Sequence, residues 1–279
     1  MKLYIYMIPF LTGLIHTAPN PPIIENSTVY NIINKYAKKN INVYKNCKDS
    51  ANLGFEICNF EDNGESLIIE TFIKKNNIII DAGAHIGNWT KAALKTAEYQ
   101  SLIYAFEPIP ASYQSVMQLA NQFNKNIFAF NLALGKCETK TEMYYFYQRG
   151  SDCSTLYNRP ILHDVPVQKV DIAVTYLDKF AIDYGIKHIN FLKIDTEGAE
   201  ADVLEGAHNL IQSNHIDIIQ FEYGGTYPDA GITLFEIYKY LTSSQYLIFR
   251  IIPNGLVYIH EWNPDLENFR YSNYLALKS

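Results

Sequence analysis

Residues 78–94 constrain what this chain can fold into more than any other stretch: Ile78-Ile79-Ile80-Asp81-Ala82-Gly83-Ala84-His85-Ile86-Gly87-Asn88-Trp89, then Thr90 to Leu94. A β-branched apolar run stops at an acid, passes two spaced glycines and continues with Ile86, Ala93 and Leu94 at helical spacing. That pattern predicts a buried strand, a tight turn and a helix, the first βα unit of a doubly wound sheet. Ligands of such sheets bind beyond the carboxyl ends of the strands, where a helix N-terminus offers N–H groups. Gly83 and Gly87 are therefore the points where a ligand can touch bare backbone.

The glycine spacing argues against a dinucleotide. A pyrophosphate needs G-x-G-x-x-G after the strand so that it can lie against backbone at several points. Here the pattern is Asp81-x-Gly83-x-x-x-Gly87. An acid at the strand end repels a phosphate but receives a cationic amine or a hydroxyl.

A second βα step follows at the expected interval. Leu102 to Phe106 reads as a buried strand ending in Glu107-Pro108. Pro108 keeps Glu107 out of a helix start, so its carboxylate stays at the strand tip, where it can accept hydrogen bonds from both hydroxyls of a ribose. Pro110 to Asn124 is an amphipathic helix and Ile127 to Leu132 a third strand, which puts Asn131 to Gly135 where an adenine would lie. Met143 to Tyr147 and Lys169 to Val174 read as strands, and Ser151 to Asp164 as a loop able to cover the site. Thr175 to Tyr184 is a short helix.

The third informative stretch is Ile189-Asn190-Phe191-Leu192-Lys193-Ile194-Asp195-Thr196-Glu197-Gly198-Ala199-Glu200. Again a buried strand ends in an acid and turns through a glycine into a helix. Lys193 and Asp195 lie two apart and so share one strand face, opposite Ile194. Three carboxylates crowded beside one lysine repel each other unless a cation or a cationic ligand offsets them. Ile216 to Phe221 supplies a further strand ending in Glu222, so the carboxyl edge carries Asp81, Glu107, Asp195 and Glu222. Thr233 to Leu241 is a helix, Tyr246 to Ile251 a strand, Asn254-Gly255 a hairpin turn and Tyr274 to Leu277 the last strand. The fold class is α/β: a doubly wound, mostly parallel seven-stranded sheet closed by an antiparallel strand.

Upstream of the sheet, Ser27 to Lys39 places Val29, Ile32, Ile33, Tyr36 and Ala37 on one helical face, with Ser27 or Thr28 as N-cap. Phe55 to Phe60 is a strand candidate, Asp62-Asn63-Gly64 a turn, and Glu65 to Lys75 a second helix. Residues 1–22 then form an apolar leader and linker, 23–76 a helical cap, and 77–279 the main domain. The run Leu3 to Ile15 has the length of a signal peptide and is too short to cross a membrane. Pro9 interrupts it, and Pro19 follows the would-be cleavage point. A sequon, Asn88-Trp89-Thr90, sits inside the first βα turn, which also favours a cytoplasmic protein; export is the alternative.

Composition narrows the partners. The net charge is −6 with no basic block, so neither nucleic acid nor an anionic membrane is expected. Cys47, Cys58, Cys137 and Cys153 lack metal-ligand spacing and read as buried free thiols, with a Cys47 to Cys58 bridge conceivable only after export. The seven histidines show no ligand spacing, and no metal is expected.

Taken in order, five motifs resemble the FkbM family of S-adenosylmethionine-dependent methyltransferases: Asp81-Ala82-Gly83-Ala84-His85-Ile86-Gly87, Phe106-Glu107-Pro108, Asn131-x-Ala133-Leu134-Gly135, Thr175-x-Leu177-Asp178-x-Phe180 and Leu192-Lys193-Ile194-Asp195-Thr196-Glu197-Gly198-Ala199-Glu200. The likeness covers residues 65 to 279. Position 85, usually Asn in such motifs, is His85 here. The resemblance implies the class I, Rossmann-like sheet, S-adenosylmethionine as donor, and O-methylation of a hydroxyl on a sugar, glycoconjugate or small metabolite. It also implies that Asp81, Gly83 and Gly87 shape the methionine end, Glu107 the ribose, and Asn131 to Ala133 the adenine. Ala84, His85, Asn88 and Pro108 complete that cofactor set, and Asp195 sits near the transferred methyl. Asp195 and Glu222 are the candidate bases, Lys193 their partner. A nucleotide-binding oxidoreductase and a non-catalytic interaction module are the competing readings.

Overall fold

Ile79 and Ile80 are neighbours in sequence and end on opposite sides of one sheet, as do Phe191 and Leu192, and Ile218 and Ile219. Successive strand residues face opposite ways, so a strand apolar at both must be covered on both sides. The computed structural model describes residues 23, 25–46, 55–57, 59–147, 154–160 and 165–279. The leader, the Ala18 to Pro22 linker, Cys47, Cys58 and Cys153 lie outside the described residues.

The chain opens with α1 (Ser27–Tyr36), β1 (Val43–Lys45) and α2 (Glu65–Phe72). The first βα units are β2 (Ile78–Ala82), α3 (Asn88–Thr96), β3 (Leu102–Phe106), α4 (Pro110–Gln122) and β4 (Ile127–Phe130). An excursion follows: β5 (Ala133–Leu134), β6 (Thr139–Tyr145), β7 (Gln168–Thr175) and α5 (Leu177–Asp183). The second half is β8 (Ile189–Ile194), α6 (Glu200–Gly206), α7 (His208–Gln212), β9 (Ile216–Tyr223), α8 (Tyr227–Ala230) and α9 (Leu234–Ser243). It closes with β10 (Tyr246–Ile252), β11 (Gly255–Tyr258) and β12 (Ser272–Lys278).

The main sheet runs β4-β3-β2-β8-β9-β12-β10-β11-β1. Strands β4, β3, β2, β8 and β9 are mutually parallel, and β12 is antiparallel to both β9 and β10. Those seven strands are the expected doubly wound sheet with its antiparallel closing strand. The order reverses at the β2/β8 boundary, where crossovers leave to opposite faces and a ligand crevice opens. Two strands extend the sheet to nine among the described residues. The chain turns back through Pro253-Asn254, one residue earlier than the expected hairpin turn, and Gly255 already pairs with Ile252. Strand β1 then pairs in parallel with β11, so the segment expected as a helical cap contributes a strand as well as two helices.

Helices α1, α2 and α3 bury Val29, Ile33, Ile68, Phe72, Trp89 and Leu94 on one face. On the other, α5, α6, α7 and α9 bury Leu177, Phe180, Val203, Leu204, Ile211 and Ile237. Truncating a central residue such as Ile80 to Ala costs about 2–5 kcal/mol in a core of this kind.

Three local expectations are corrected. Asn26 caps α1, its side chain accepting from the N–H groups of Thr28 and Val29 at 3.0 and 3.3 Å, because Asn26 is still extended while Ser27 is already helical. The described part of Phe55 to Phe60 forms no strand. Phe55 instead lies under two guanidinium groups, those of Arg250 at 4.2 Å and Arg270 at 4.6 Å, so its apolar ring serves cation–π contacts and not a ladder. Cys137 is a free thiol as expected but is exposed, because it lies on the bend between β5 and β6.

Candidate active site

Every strand tip at the reversal point carries a polar residue, and the backbone locks these tips together. The N–H groups of Gly83 and Ala84 both donate to Phe106 O, at 3.0 and 2.9 Å, and Asp195 N donates to Ala82 O at 2.9 Å. The loops after β2, β3 and β8 therefore meet at one edge. His85 takes φ +50° there, a left-handed conformation that Asn, Asp and His adopt more readily than other side chains, so this position accepts His in place of Asn.

Two contiguous cavities open on this edge. The first has apolar walls from Ala133, Leu134, Met143 and Leu156 and a polar floor from Glu107 and the β2 loop. Met143 comes from the small sheet β5-β7-β6, which lies over this end, and Leu156 from residues 154–160. That segment is held by a pair of backbone hydrogen bonds between Thr155 and Tyr144, and by Thr155 Oγ1 donating to Glu197 O at 2.6 Å. The described part of the expected covering loop thus does lie over the site. Ser154 Oγ is buried without a partner beside this cavity.

Glu107 is 6% exposed, and its two carboxylate oxygens accept from Ile109 N and His85 N, each at 2.8 Å. Burial pushes its carboxyl up to about 7, opposed by those two N–H groups and reinforced by Asp81 and Asp195. Each oxygen keeps a lone pair for a further donor.

The second cavity begins where the first ends; Gly83, His85, Asp195 and Glu197 line both. Its walls include Phe60, Glu65, Trp89, Lys193, Glu222 and Tyr271. Lys193 Nζ donates to Asp195 Oδ2 at 2.9 Å and lies 3.8 Å from Asp81 Oδ1. Burial opposes the charge on Lys193, but Asp195, Asp81 and Glu65 outweigh it and raise its pKa, so the ammonium persists at any ordinary pH. Glu222 is pushed well above the carboxylate range by burial and by Glu197, Asp195 and Glu200, and its carboxyl shares a hydrogen bond with Asp195.

The loop from Asp195 to Glu200 is built around the Glu200 carboxylate. One oxygen accepts from Thr196 N and Oγ1 at 2.8 and 2.9 Å, the other from Gly198 N at 3.0 Å. Glu200 is fully buried, which raises its pKa to about 7.

Most residues singled out in the sequence converge on these cavities. Gly83, His85, Glu107, Pro108 and Ala133 line the first; Ala84, Asn88, Lys193, Asp195 and Glu222 line the second. Three stand back from them. Asp81 is wholly buried, accepts from Thr90 Oγ1 and faces Lys193. Asn131 directs its amide nitrogen at Glu107 O and Pro108 O, both 2.9 Å away, and so braces the β3 tip. Gly87 is the residue before α3 and lies on neither wall. Sequence reasoning missed Glu65, Thr90, Met143, Arg159 and Tyr271. Only Thr90 left a local signal, one helical turn into α3 from the Asp81 loop.

A seven-strand core in this order, reversed at β2/β8 and acidic along its carboxyl edge, is the class I, Rossmann-like methyltransferase fold. The Methyltransferase FkbM domain matches residues 81–248. The chain belongs to the FkbM methyltransferase family, whose cofactor is S-adenosylmethionine. Methyltransferase 1 of Beauveria bassiana (strain ARSEF 2860) is 31% identical over 160 residues, 52% of this chain and 62% of that protein. Methyltransferase sdnD of Sordaria araneosa is 24% identical over 186 residues, covering 57% and 70%. The crystal structure of methyltransferase FkbM from Methylobacillus flagellatus KT superposes with a TM-score of 0.47 at 16% identity, over 72% of this chain and 44% of that one. The match thus spans less than two thirds of the first fungal relative. Family membership sets aside the oxidoreductase reading. Among the described residues no helix is long and apolar enough to cross a membrane, and no group of three or more His, Cys, Asp or Glu could hold a metal ion.

Proposed function

We propose that this chain transfers a methyl group from S-adenosylmethionine to a hydroxyl oxygen of a sugar, glycoconjugate or small metabolite. The observation that carries the reading is that Asp195 lines both cavities at their junction, with Lys193 bonded to it at 2.9 Å. The residues present fit the cofactor. The first cavity offers apolar walls for an adenine and the Glu107 carboxylate for a ribose diol; Gly83 and His85 lead from it into the second, acidic cavity, which suits a sulfonium.

The bound cofactor supplies an electrophilic methyl, so the protein's task is to align a nucleophile and take its proton. Asp195 would accept the hydroxyl proton as that oxygen takes the methyl group the bound cofactor would supply, the cofactor leaving as its neutral thioether. Lys193 orients the Asp195 carboxylate and offsets charge on the attacking oxygen. Glu222, its carboxyl pushed up by burial and by its acidic neighbours, shares a hydrogen bond with Asp195 and keeps that carboxylate facing the junction. Phe60, Trp89 and Tyr271 offer ring surfaces beside these acids, the pairing of apolar faces and acceptors that a polyol presents CH and OH groups to. Asn88 of the sequon lines the second cavity, which supports action in a compartment that does not glycosylate proteins.

The test is incubation with methyl-labelled S-adenosylmethionine and a panel of glycosides and hydroxylated metabolites, with label position read by mass spectrometry. Label on oxygen is expected. Label on nitrogen, or none from protein that binds the cofactor, overturns the reading.

A further inference from the structure

The proposed chemistry leaves two carboxylates of the second cavity without a task, Glu197, which faces Arg159, and Glu65. Glu65 is the first residue of α2 and lies outside residues 81–248, which match the family domain. It is 5% exposed and lines the cavity together with Ala84, His85, Asn88 and Trp89. Gly64, at φ +99°, lets the chain press against β10: a Cβ there would meet Ile252 O at 2.4 Å. That contact fixes Glu65 over the tips of β9 and β12.

Its surroundings are unlike those of the other cavity acids. Asn63 Nδ2 donates to Oε1 at 2.7 Å, Asn273 Nδ2 to Oε1 at 3.3 Å, and Gln220 Nε2 to Oε2 at 2.6 Å. Three amide donors meet two oxygens, so a proton on either oxygen would face an N–H group. That donor set suits a carboxylate; burial pushes the carboxyl up, opposed first by Lys193 and then by the Asn63 and Gln220 amides. A carboxylate offers about four acceptor positions, and three are filled here. Asp195 is bonded to Lys193, Glu197 faces Arg159 at 3.7 Å, and Glu222 shares a hydrogen bond with Asp195. Among the described residues, Glu65 has no cationic partner within 4.0 Å. The Trp89 indole N–H, on a residue of the same wall, is buried and unpartnered. Lys193 offsets Glu65 only from beyond 4.0 Å, so an acid with one open acceptor position and no cation in contact lines the cavity at the methionine end, where an ammonium would complete it.

We propose that Glu65 receives the α-ammonium of the cofactor's methionyl end, making the N-terminal segment part of the cofactor site. This rests on the cofactor placement given above.

Calorimetric titration of the full chain and of Glu65→Gln with three probes tests it: S-adenosylmethionine, S-adenosylhomocysteine, and 5′-methylthioadenosine, which keeps the adenosine and sulfur but lacks the amino-acid group. Loss of one charge-assisted contact should weaken the first two by about tenfold to a hundredfold and leave methylthioadenosine unchanged. Unchanged affinity for S-adenosylmethionine, or an equal loss for all three probes, overturns the assignment. If a thermal melt shows Glu65→Gln unfolded, Glu65→Asp keeps the charge and withdraws it by one methylene, and the same split between probes decides. Wild-type protein that binds none of the three overturns the cofactor placement itself, a result distinct from parity between wild type and variant.

Discussion

Gly83 lies against the main chain of Asp195, so close that a Cβ on Gly83 would stand 1.8 Å from the Asp195 carbonyl oxygen. The Gly83 φ of +84° adds a conformational demand that side-chain-bearing residues meet poorly. These two residues fix the distance between the loop after β2 and the Asp195 carboxylate after β8, the proposed cofactor loop and proton acceptor. Gly83→Ala should therefore push the two strand tips apart. The expected result is destabilisation of more than about 3 kcal/mol together with loss of cofactor binding, read by denaturant melts and calorimetry. A variant that melts and binds like wild type would show that the contact is not needed.

Asp195→Asn separates the two roles of that position. The amide nearly preserves the shape of the carboxylate but accepts no proton. Turnover should fall by about 10²–10⁴-fold, while the dissociation constant for S-adenosylmethionine changes only a few-fold. Equal loss in both measurements would assign Asp195 to cofactor binding alone.

Lys193 faces a different test, because its charge offsets Asp81 and Asp195 in a site that water barely reaches. Lys193→Met leaves Asp81 buried and uncompensated, a change worth about 3–5 kcal/mol of stability. Adding Asp81→Asn should restore a large part of that loss without restoring turnover. If the double variant is no more stable than the single one, the 3.8 Å approach of Lys193 to Asp81 contributes nothing.

The residues in these three tests were all visible in the sequence, for a reason that also explains what was not. Strand alternation is local, so Lys193 and Asp195 could be put on one face, and each acid at a strand tip could be read from the end of its apolar run. Which way a tip residue turns is not local. Asp81 faces Thr90 and Lys193 instead of the cavity, and Asn131 turns back to brace the β3 tip. Glu65 reads as an ordinary first-turn acid of a helix, and only its packing against Gln220, 155 residues away, brings it to the site. Strand β1, three residues long and paired with Leu256 to Tyr258, is invisible for the same reason.

The proposed ribose contact of Glu107 predicts a pH dependence of cofactor binding whose sign is fixed by the Glu107 environment. In the empty site its carboxyl titrates at about 7. Ribose hydroxyls donate to the ionised form, so binding lowers that pKa, and affinity rises as pH increases through 7. Below 7 each unit of pH should weaken binding, approaching about tenfold per unit. Calorimetry between pH 5.5 and 8.5 measures the slope, and Glu107→Gln should bind weakly with a flat profile. A wild-type affinity independent of pH over this range would remove Glu107 from the ribose contact.

Glu200 gives folding stability a pH dependence of its own. Its carboxyl, ordinarily near 4.5, is raised to about 7 by burial in the folded chain, so the folded state binds the proton more tightly than the unfolded state. Stability is then highest below 4.5, declines as pH rises toward 7, and levels off above it. A shift of this size corresponds to at most about 3 kcal/mol, and Glu107 adds in the same direction. Thermal melts from pH 4.5 to 8 should show a falling midpoint. Glu200→Gln turns an amide nitrogen toward N–H groups that now point at a carboxylate oxygen, so it should be less stable than wild type at every pH, by about 1–3 kcal/mol. Its midpoint should also fall less steeply with pH, because the titrating group is gone. An unaltered slope would mean that Glu200 shares no proton with solvent in this range. Its three accepted hydrogen bonds would then hold the Asp195 loop in one charge state throughout.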